Sequence, residues 1–197
     1  MDPVTLTTAR LILRPLGPDD TDDCYTACQD PDIQRWTTVP SPYEREHAET
    51  FTRRIAPDAW LNSREYAFAI RTKDEGSLVG VMGVMTRGEG AAEVGYWSVK
   101  EHRGRGYVTE ALHTVSRWAF TDAAVDRLEW RAEVGNTASR AVAERVGFTV
   151  EGTLRAGLLH RGTRRDCWIG ALLPSDVELR PLDPYLPAET ANSAGQA

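Results

Sequence analysis

Residues 101–112 read EHRGRGYVTEAL, and this stretch decides the fold. Two glycines alternate with two arginines, and the run that follows has the apolar spacing of a helix. Gly104 and Gly106 leave room for a ligand beside the backbone because they lack Cβ atoms. The first amides of a helix have no intrahelical partner, and that end of the helix is electropositive. The stretch therefore predicts a phosphate-binding turn, a device that several unrelated folds use.

Two familiar phosphate-binding turns fit poorly. A Walker loop requires Gly-Lys before Ser or Thr, and the chain contains no Gly-Lys pair. A dinucleotide fingerprint requires a third glycine three positions after Gly106, where Thr109 stands. A dinucleotide-binding domain, which would bind NAD, is therefore a minor alternative.

Composition indicates a globular protein of ordinary type. The chain has 197 residues, of which 41% are hydrophobic and 26% charged, and its formal net charge is −6. This charge disfavours a general role in nucleic-acid or anionic-membrane binding. No apolar run has membrane-spanning length and no signal segment opens the chain, so we expect a cytoplasmic protein, either a monomer or a homodimer.

The three cysteines, Cys24, Cys28 and Cys167, are expected to be reduced and buried. Cys24 and Cys28 lie one helical turn apart and could in principle share a metal. No histidine stands at ligand spacing beside them, so we expect no metal site.

Apolar periodicity predicts a mixed α/β chain. Strands are predicted at 9–16, 65–71, 78–85, 92–99, 127–134, 149–159 and 166–173. Helices are predicted after a cap at Asp20 or Thr21, over 41–55 with its start at Ser41, over 107–120, and over 136–147. The order β-α-α-β-β-β-α-β-α-β-β is an α/β fold with a mixed sheet. Residues 1–173 are expected to form one domain, and 174–197 a proline-rich tail that is ordered at most in part.

Two motifs together resemble the Gcn5-related N-acetyltransferase (GNAT) superfamily, and most closely its RimJ/RimL-like branch. The first is Arg103-Gly104-x-Gly106-Tyr107-x-Thr109-Glu110-Ala111, and the second is Asn136-x-x-Ser139 with Gly147-Phe148. The element order matches over roughly residues 7–173. The resemblance implies a mostly antiparallel central sheet flanked by helices. It also implies acetyl-CoA as co-substrate and direct transfer of acetyl to a primary amine.

The resemblance also implies where coenzyme A binds. The pyrophosphate would lie on the glycine turn, and the pantetheine arm would add like a strand beside residues 92–99. A backbone N–H near Val99 would hold the thioester carbonyl, and Asn136 would bond the arm, although it could equally cap its own helix. The expected cofactor-binding residues are Trp97, Ser98, Val99, Arg103, Gly104, Arg105, Gly106, Tyr107, Val108, Thr109, Asn136 and Ser139.

Val108 and Glu101 depart from the family pattern, which usually has a small residue and often a proline at these two positions. The Val108 side chain is expected to point into the core as the first of the helix's apolar stripe. We therefore expect both departures to be tolerated.

Ser139 is the candidate proton donor to the leaving thiolate. Many superfamily members use a tyrosine at the position of Ala143, which cannot donate, whereas the RimJ/RimL branch has a serine where Ser139 stands. A first-turn serine that bonds only backbone is the alternative. If no proton donor exists, the chain would be a non-catalytic acyl-CoA-binding regulatory module.

Glu93 is the candidate general base, because it shares one side of its strand with Gly95 and Trp97 and its carboxylate could reach the amine through a water. A structural edge glutamate is the alternative reading. His160 and Glu110 are weaker candidates for the base. The acceptor pocket is expected to be lined by the aromatic residues Trp36, Trp97 and Tyr66.

The acceptor is expected to be a weakly basic amine. A protein α-amine has a pKa of about 7.7–8.0, against about 10.4 for lysine, so it is much easier to deprotonate at neutral pH. The branch includes enzymes for ribosomal-protein N-termini and for small molecules. We therefore expect an N-terminal α-amine, of a ribosomal or other protein, or a small-molecule amine.

Overall fold

The computed structural model describes residues 1–188. Its strands are β1 (Leu6–Thr7), β2 (Leu11–Pro15), β3 (Glu65–Thr72), β4 (Leu78–Gly88), β5 (Ala91–Ser98), β6 (Arg127–Glu133), β7 (Thr149–His160) and β8 (Thr163–Leu172). They form one sheet in the order β1-β2-β3-β4-β5-β6-β8-β7. Every neighbouring pair is antiparallel except β5 and β6, which are parallel. The predicted mixed, mostly antiparallel sheet is confirmed.

Six α-helices flank this sheet in the described part of the chain. They are α1 (Thr21–Ala27), α2 (Pro31–Trp36), α3 (Arg45–Thr50), α4 (Ala56–Leu61), α5 (Tyr107–Thr121) and α6 (Thr137–Val146). No helix within residues 1–188 is long and apolar enough to cross a membrane.

The two faces of the sheet bury different side chains because successive residues of a strand point to opposite sides. Phe68, Val94 and Trp130 lie in the larger core, which also contains the apolar stripe of α5 and part of α6. Ala67 and Val81 lie on the other face, in a smaller core with α1–α4. Within residues 1–188, no fully buried side chain of β5 or β6 belongs to this smaller core, so the second face is less covered at these two strands.

The helix predicted over 41–55 is wrong at both ends. It begins at Arg45, because Glu44 has an extended backbone and its N–H donates to Nδ1 of His47 at 3.0 Å. It continues through a π-helical turn, Phe51–Ile55, directly into α4. Pro57 cannot donate to the carbonyl four residues before it, and the wider turn precedes this missing bond.

Two elements near the N-terminus were not predicted, β1 and α2. The strand β1 is only two residues long and pairs with β2 across a tight turn. The helix α2 is capped by Asp30, whose carboxylate accepts the N–H of Asp32 at 3.0 Å. Both are too short to show a clear apolar period in the sequence.

The expected tail begins with a packed turn. Pro174–Val177 forms a 3-10 helix in which both end residues are buried. Arg117 donates to the carbonyl of Val177 at 2.7 Å, which ties this turn to α5. Residues 189–197 lie outside the described residues, and the division into a domain and a tail remains a prediction.

All three cysteines are buried, as expected. Burial raises the pKa of the Cys28 thiol to about 12, and burial likewise raises that of Cys24. Both thiols lie in the smaller core and act there as apolar side chains.

One buried carboxylate links α1 to the sheet. Asp20 is 0% exposed and accepts two hydrogen bonds of 2.8 Å from Arg14. Arg71 of β3 donates to it at 2.7 Å, and the N–H of Gly17 at 3.0 Å. Both oxygens of this buried carboxylate thereby accept hydrogen bonds, as a buried charge requires.

Asp20→Asn should therefore destabilise the fold by about 3 kcal/mol, because the guanidinium of Arg14 loses its anion and that of Arg71 keeps only Asp23. Urea unfolding followed by circular dichroism measures this loss. Asp19→Asn, an exposed neighbour, is the control and should change stability by less than about 0.5 kcal/mol. Equal effects of the two substitutions would contradict the role given to Asp20.

Candidate active site

The sheet opens between β5 and β6. Their parallel pairing runs from Ala91 and Arg127 to Val94 and Trp130 and then stops. Beyond this point β5 stays paired with β4 through Ser98, and β6 stays paired with β8 through Glu133. A gap with unpaired backbone edges therefore lies between the second halves of the two strands.

The alternation of an antiparallel ladder shows which groups of β5 face this gap. The N–H of Val99 donates to the carbonyl of Val79 at 2.8 Å and so points toward β4. By alternation Trp97 also bonds β4, while the backbone groups of Tyr96 and Ser98 face the gap. The N–H of Val99 itself is therefore already used, whereas that of the adjacent Ser98 faces the gap, and binding of the thioester carbonyl by a backbone N–H near Val99 remains a prediction.

The glycine turn lies beside the end of this gap. Gly104 and Gly106 have φ of 75° and 76°, a left-handed conformation that favours glycine. The helix α5 begins at Tyr107, and its first i to i−4 bond joins the N–H of Glu110 to the carbonyl of Gly106 at 3.0 Å. The amides of residues 107–109 precede this bond and are directed out of the helix end. This is the geometry predicted for an anion cradle.

Arg10 fixes the start of α5, a role that no local sequence pattern indicates. Its Nε donates to Glu110 at 2.7 Å and its Nη1 to the carbonyl of Arg105 at 3.0 Å. The guanidinium also stacks on the ring of Tyr107, 4.5 Å from its centroid. The turn between β1 and β2 thus holds both sides of the glycine turn in place.

Arg103 is engaged elsewhere than expected. Its guanidinium pairs with Asp30 and with Asp32, the latter at 3.1 Å, and donates to the carbonyl of Ser98 at 3.1 Å. It therefore braces α2 against the end of β5. Two carboxylates compensate its charge, so direct binding of phosphate by Arg103 remains a prediction.

A cleft of about 1740 Å³ joins the gap to the glycine turn. Its wall contains Glu93, Trp97, Ser98, Arg103, Gly104, Gly106, Tyr107, Val108, Thr109, Asn136 and Ser139 of the predicted site. Val99 and Arg105 do not line it. The side chain of Val108 also packs against the larger core, as expected.

Ser139 belongs to a hydrogen-bonded group of three side chains. Its Oγ accepts from Nε1 of Trp130 at 3.0 Å and donates to the hydroxyl of Tyr96 at 3.3 Å. That hydroxyl in turn donates to the carbonyl of Ser139 at 2.9 Å. Burial raises the pKa of Tyr96 to about 12, so the phenol is neutral at physiological pH. Tyr96 was not predicted, because only the fold brings it to α6.

Asn136 is the N-cap of α6. Its Oδ1 accepts the N–H of Ser139 at 3.2 Å, which fixes the amide and the first turn of the helix. This is the capping role that the sequence left open. Binding of the pantetheine arm by the amide nitrogen remains a prediction.

The predicted base lies in the cleft within an ion-pair network. Oε2 of Glu93 accepts from Arg87 at 2.8 Å and lies 3.7 Å from Nε of Arg131. At Glu110, burial opposes ionisation, but hydrogen bonds from Thr8 and Arg10 hold the pKa of the carboxyl below its usual value. Both carboxylates are thus engaged by arginines.

His160 lies on the far side of the gap. Its Nδ1 is 3.7 Å from Oε2 of Glu133, which also receives a bidentate pair from Arg35 at 2.6 and 3.0 Å. The side chain of Arg161 donates to the carbonyl of Gln34 at 2.6 Å. These contacts join α2 to β6 and β7 across the cleft and close its rim.

The three aromatic residues expected in the acceptor pocket do not lie together. Trp36 and Trp97 line the cleft. Tyr66 does not, and that expectation is wrong. It is 4% exposed and packs edge-to-face on Trp60 and Trp118, with ring centroids 5.3 and 5.2 Å apart, because its side chain points to the opposite face of β3.

Comparison with known proteins places this geometry among acetyltransferases. The family model described as the acetyltransferase (GNAT) domain matches residues 10–149. The chain is 36% identical over 138 residues to the "Putative ribosomal N-acetyltransferase YdaF" of Bacillus subtilis (strain 168), covering 66% of this chain and 73% of the relative. It is 31% identical over 104 residues to the ribosomal-protein-serine acetyltransferase of Escherichia coli (strain K12), covering 51% of this chain and 58% of that one.

The fold is also that of a solved acetyltransferase. The structure of RimL, a ribosomal L7/L12 alpha-N-protein acetyltransferase in complex with coenzyme A, superposes with a TM-score of 0.78. The sequences are 19% identical, and the match covers 87% of this chain and 98% of RimL.

Gly106→Ala should weaken coenzyme A binding at least tenfold, because a Cβ at this position enters the cradle. The protein atom nearest to this Cβ, Nη2 of Arg10, would lie 3.6 Å away, which is an ordinary van der Waals distance. The folded protein therefore has room for the added Cβ. Isothermal titration calorimetry with coenzyme A measures the change.

Gly76→Ala is the matched control. Gly76 has a similar φ of 70° and open space around it, so both variants share a backbone strain of about 1 kcal/mol. Only the change at 106 should alter affinity. Equal coenzyme affinity in the two variants would show that the glycine turn is not the cradle.

Proposed function

Because the chain belongs to the GNAT acetyltransferase family, we propose that it transfers acetyl from acetyl-CoA to the N-terminal α-amine of a protein. The observation that carries this proposal is the continuous cleft from the glycine turn, through the gap between β5 and β6, to the open face of the sheet. Acetyl-CoA-dependent transfer to an amine is the activity of the family. The choice of a protein N-terminus is supported by the names of the relatives.

We place the coenzyme along the unpaired backbone groups of the cleft. The amides of residues 107–109 would hold the pyrophosphate at the positive end of α5. The backbone groups of Tyr96 and the N–H of Ser98 would bond the pantetheine arm as a strand would, whereas the carbonyl of Ser98 already accepts from Arg103. Asn136 would add its side-chain amide, and Arg105 would add charge at the mouth of the turn.

The reaction needs only groups that lie in this cleft. Acetyl-CoA supplies the activated carbonyl carbon. The deprotonated amine attacks that carbon, an amide bond forms, and the carbon–sulfur bond breaks. The thiolate takes a proton from the hydroxyl of Ser139, and the proton that nitrogen loses on forming the amide restores that hydroxyl. The proton given up earlier, when the ammonium form of the acceptor was deprotonated, passes by way of a carboxylate to solvent, so that one proton is released for each ammonium acetylated.

Ser139 suits the role of proton donor because its hydroxyl is oriented from two sides. Trp130 donates to its Oγ, so the oxygen is stabilised as it loses a proton. Tyr96 lies within hydrogen-bond reach and can return a proton to it. This arrangement supplies the donor whose absence at Ala143 would otherwise favour a non-catalytic binding module.

An N-terminal α-amine suits this cleft as an acceptor, because it needs less help than a lysine to lose its proton. The roughly 2.5-unit difference in pKa makes an α-amine about 3.4 kcal/mol easier to deprotonate than a lysine at neutral pH. The three buried thiols without disulfides fit a reducing compartment, so we propose that the substrate is met in the cytoplasm.

Two peptides that share one sequence, beginning with serine and containing one internal lysine, test the acceptor class. The first has a free N-terminus, and the second has a blocked N-terminus, so that the lysine is its only free amine. Thiol release from acetyl-CoA should be roughly two orders of magnitude faster with the first at pH 7, because far more of its amine is deprotonated. Mass spectrometry locates the acetyl group. Preference for the lysine peptide would refute the N-terminal assignment.

Ser139→Ala should lower kcat at least tenfold and weaken coenzyme A binding by a few-fold at most, because it removes the proton donor but only one of the predicted coenzyme contacts. Steady-state kinetics with the α-amine peptide measure kcat, and calorimetry measures affinity. Thr137→Ala, an exposed change in the same helical turn, is the control. If coenzyme binds but no acceptor is acetylated by the unaltered protein, the chain is a binding module.

A further inference from the structure

One carboxylate of the cleft stands apart from the others. Four half-buried glutamates line the cleft, Glu65, Glu93, Glu110 and Glu133. Glu93 pairs with an arginine of β4, Glu110 with one before β2, and Glu133 with one of α2. Within residues 1–188, the side-chain carboxylate of Glu65 has no ion-pair or hydrogen-bond partner.

The backbone beside Glu65 is shaped to receive its carboxylate. Glu65 begins β3, and its Oε1 lies where a Cβ on Gly83 of the neighbouring strand would stand. Gly95 of β5 is the cross-strand partner of Gly83, so a bare strip of backbone crosses the sheet at this level. Space for a ligand therefore adjoins Glu65 on the open face.

This position is energetically costly for the protein. Burial raises the pKa of Glu65, and the positive charge of Arg87 only partly offsets that effect. A desolvated carboxylate without a partner destabilises the fold, whereas it binds a cation strongly. Such perturbed groups in clefts mark functional sites.

Glu65 also marks a junction between two cavities. A second pocket of about 630 Å³ is lined by Arg54, Asp58, Arg64 and Thr86. It shares Ile55, Glu65, Met85 and Arg87 with the cleft. An acceptor peptide that entered through this pocket would bring its N-terminal nitrogen past Glu65 toward the gap between β5 and β6.

We propose that Glu65 binds the ammonium group of the acceptor and takes its first proton, and that the second pocket holds the residues that follow the amine. This inference rests on the proposed function. The protonated amine transfers one N–H proton to the carboxylate, which leaves a neutral amine and a carboxylic acid. The freed lone pair then attacks the thioester carbon.

The charged groups that face Glu65 are consistent with this role. Arg87 of β4 pairs with Glu93 of β5, and Arg64 pairs with Asp58 of α4. Arg54, from the π-helical turn, has no ion-pair partner within residues 1–188 and adds positive charge to the second pocket. Of the two carboxylates that line this pocket, Asp58 is paired with Arg64 and Glu65 is left to meet a cation at the junction.

Glu65→Gln provides the test, with the free-serine peptide and acetyl-CoA as probes. At pH 7 the variant should lose at least tenfold in kcat/KM, because the acceptor ammonium has no group to receive its proton. At pH 9 the deficit should fall below about threefold, because the α-amine is then deprotonated in solution. Coenzyme A affinity should stay within twofold. The melting temperature should equal or exceed that of the unaltered protein.

Gly83→Ala is a second test that keeps the carboxylate. The added Cβ displaces the flexible end of Glu65, so kcat/KM at pH 7 should fall at least threefold and recover at pH 9 in the same way. Gly152→Ala, a strand glycine with open space around it, is its control, and Glu75→Gln, in an exposed turn, is the control for the charge.

The outcomes separate the two proposals. Suppose that the unaltered protein acetylates the peptide. The inference is overturned, while the proposed function stands, if kcat/KM of Glu65→Gln equals that of Glu75→Gln or is lowered by the same factor at pH 7 and pH 9. The same holds if Glu93→Gln alone shows recovery at high pH. If coenzyme binds and the unaltered protein acetylates nothing, both proposals fall.

Discussion

The parallel pairing of β5 and β6 ends after Val94 and Trp130, and the rest of the site depends on this early divergence. Each strand is held on its outer side, β5 by β4 and β6 by β8, so neither can turn back to close the gap. Backbone groups left open in this way need a partner. The sheet thus contains a gap about as wide as a strand, with the positive end of α5 beside it.

The second constraint is that α5 must begin at the right place. The left-handed glycines let the chain turn tightly after β5, and Arg10 holds both Arg105 and Glu110 from the neighbouring hairpin. The carboxylate of Asp20 serves a comparable purpose for α1, which it fastens to β2 and β3. Charged anchors of this kind hold helices in place on the sheet around the open cleft.

The sequence predicted what local chemistry encodes. The glycine turn, the capping residue Asn136 and the alternation of β6 are short-range patterns, and each appears in the structure where expected. The order of the elements along the chain was also predicted, apart from β1 and α2. The start of the 41–55 helix failed because Ser41 and Pro42 resemble a cap and a first turn, whereas the actual cap comes from Glu44 and His47.

What the sequence could not predict are contacts between distant segments. Arg10, Tyr96 and Glu65 acquire their surroundings from strands or helices that are 18 to about 100 residues away, so no local pattern distinguishes them. The prediction that Tyr66 lines the acceptor pocket was wrong for a related reason, because the face of the sheet on which its side chain lies is determined only by the pairing of β3. Candidate residues on the glycine turn were easier to choose, because the turn itself carries the signal.

The cleft has two openings whose walls come from different parts of the chain. The glycine turn and α6 form the first, whereas the second is framed by the π-helical turn and by the loop before β3. Substitutions at Arg54, Ile55 or Arg64 would therefore leave the first opening as it is. Lineages descended from a common ancestor could in this way exchange one acceptor for another while inheriting the same donor chemistry.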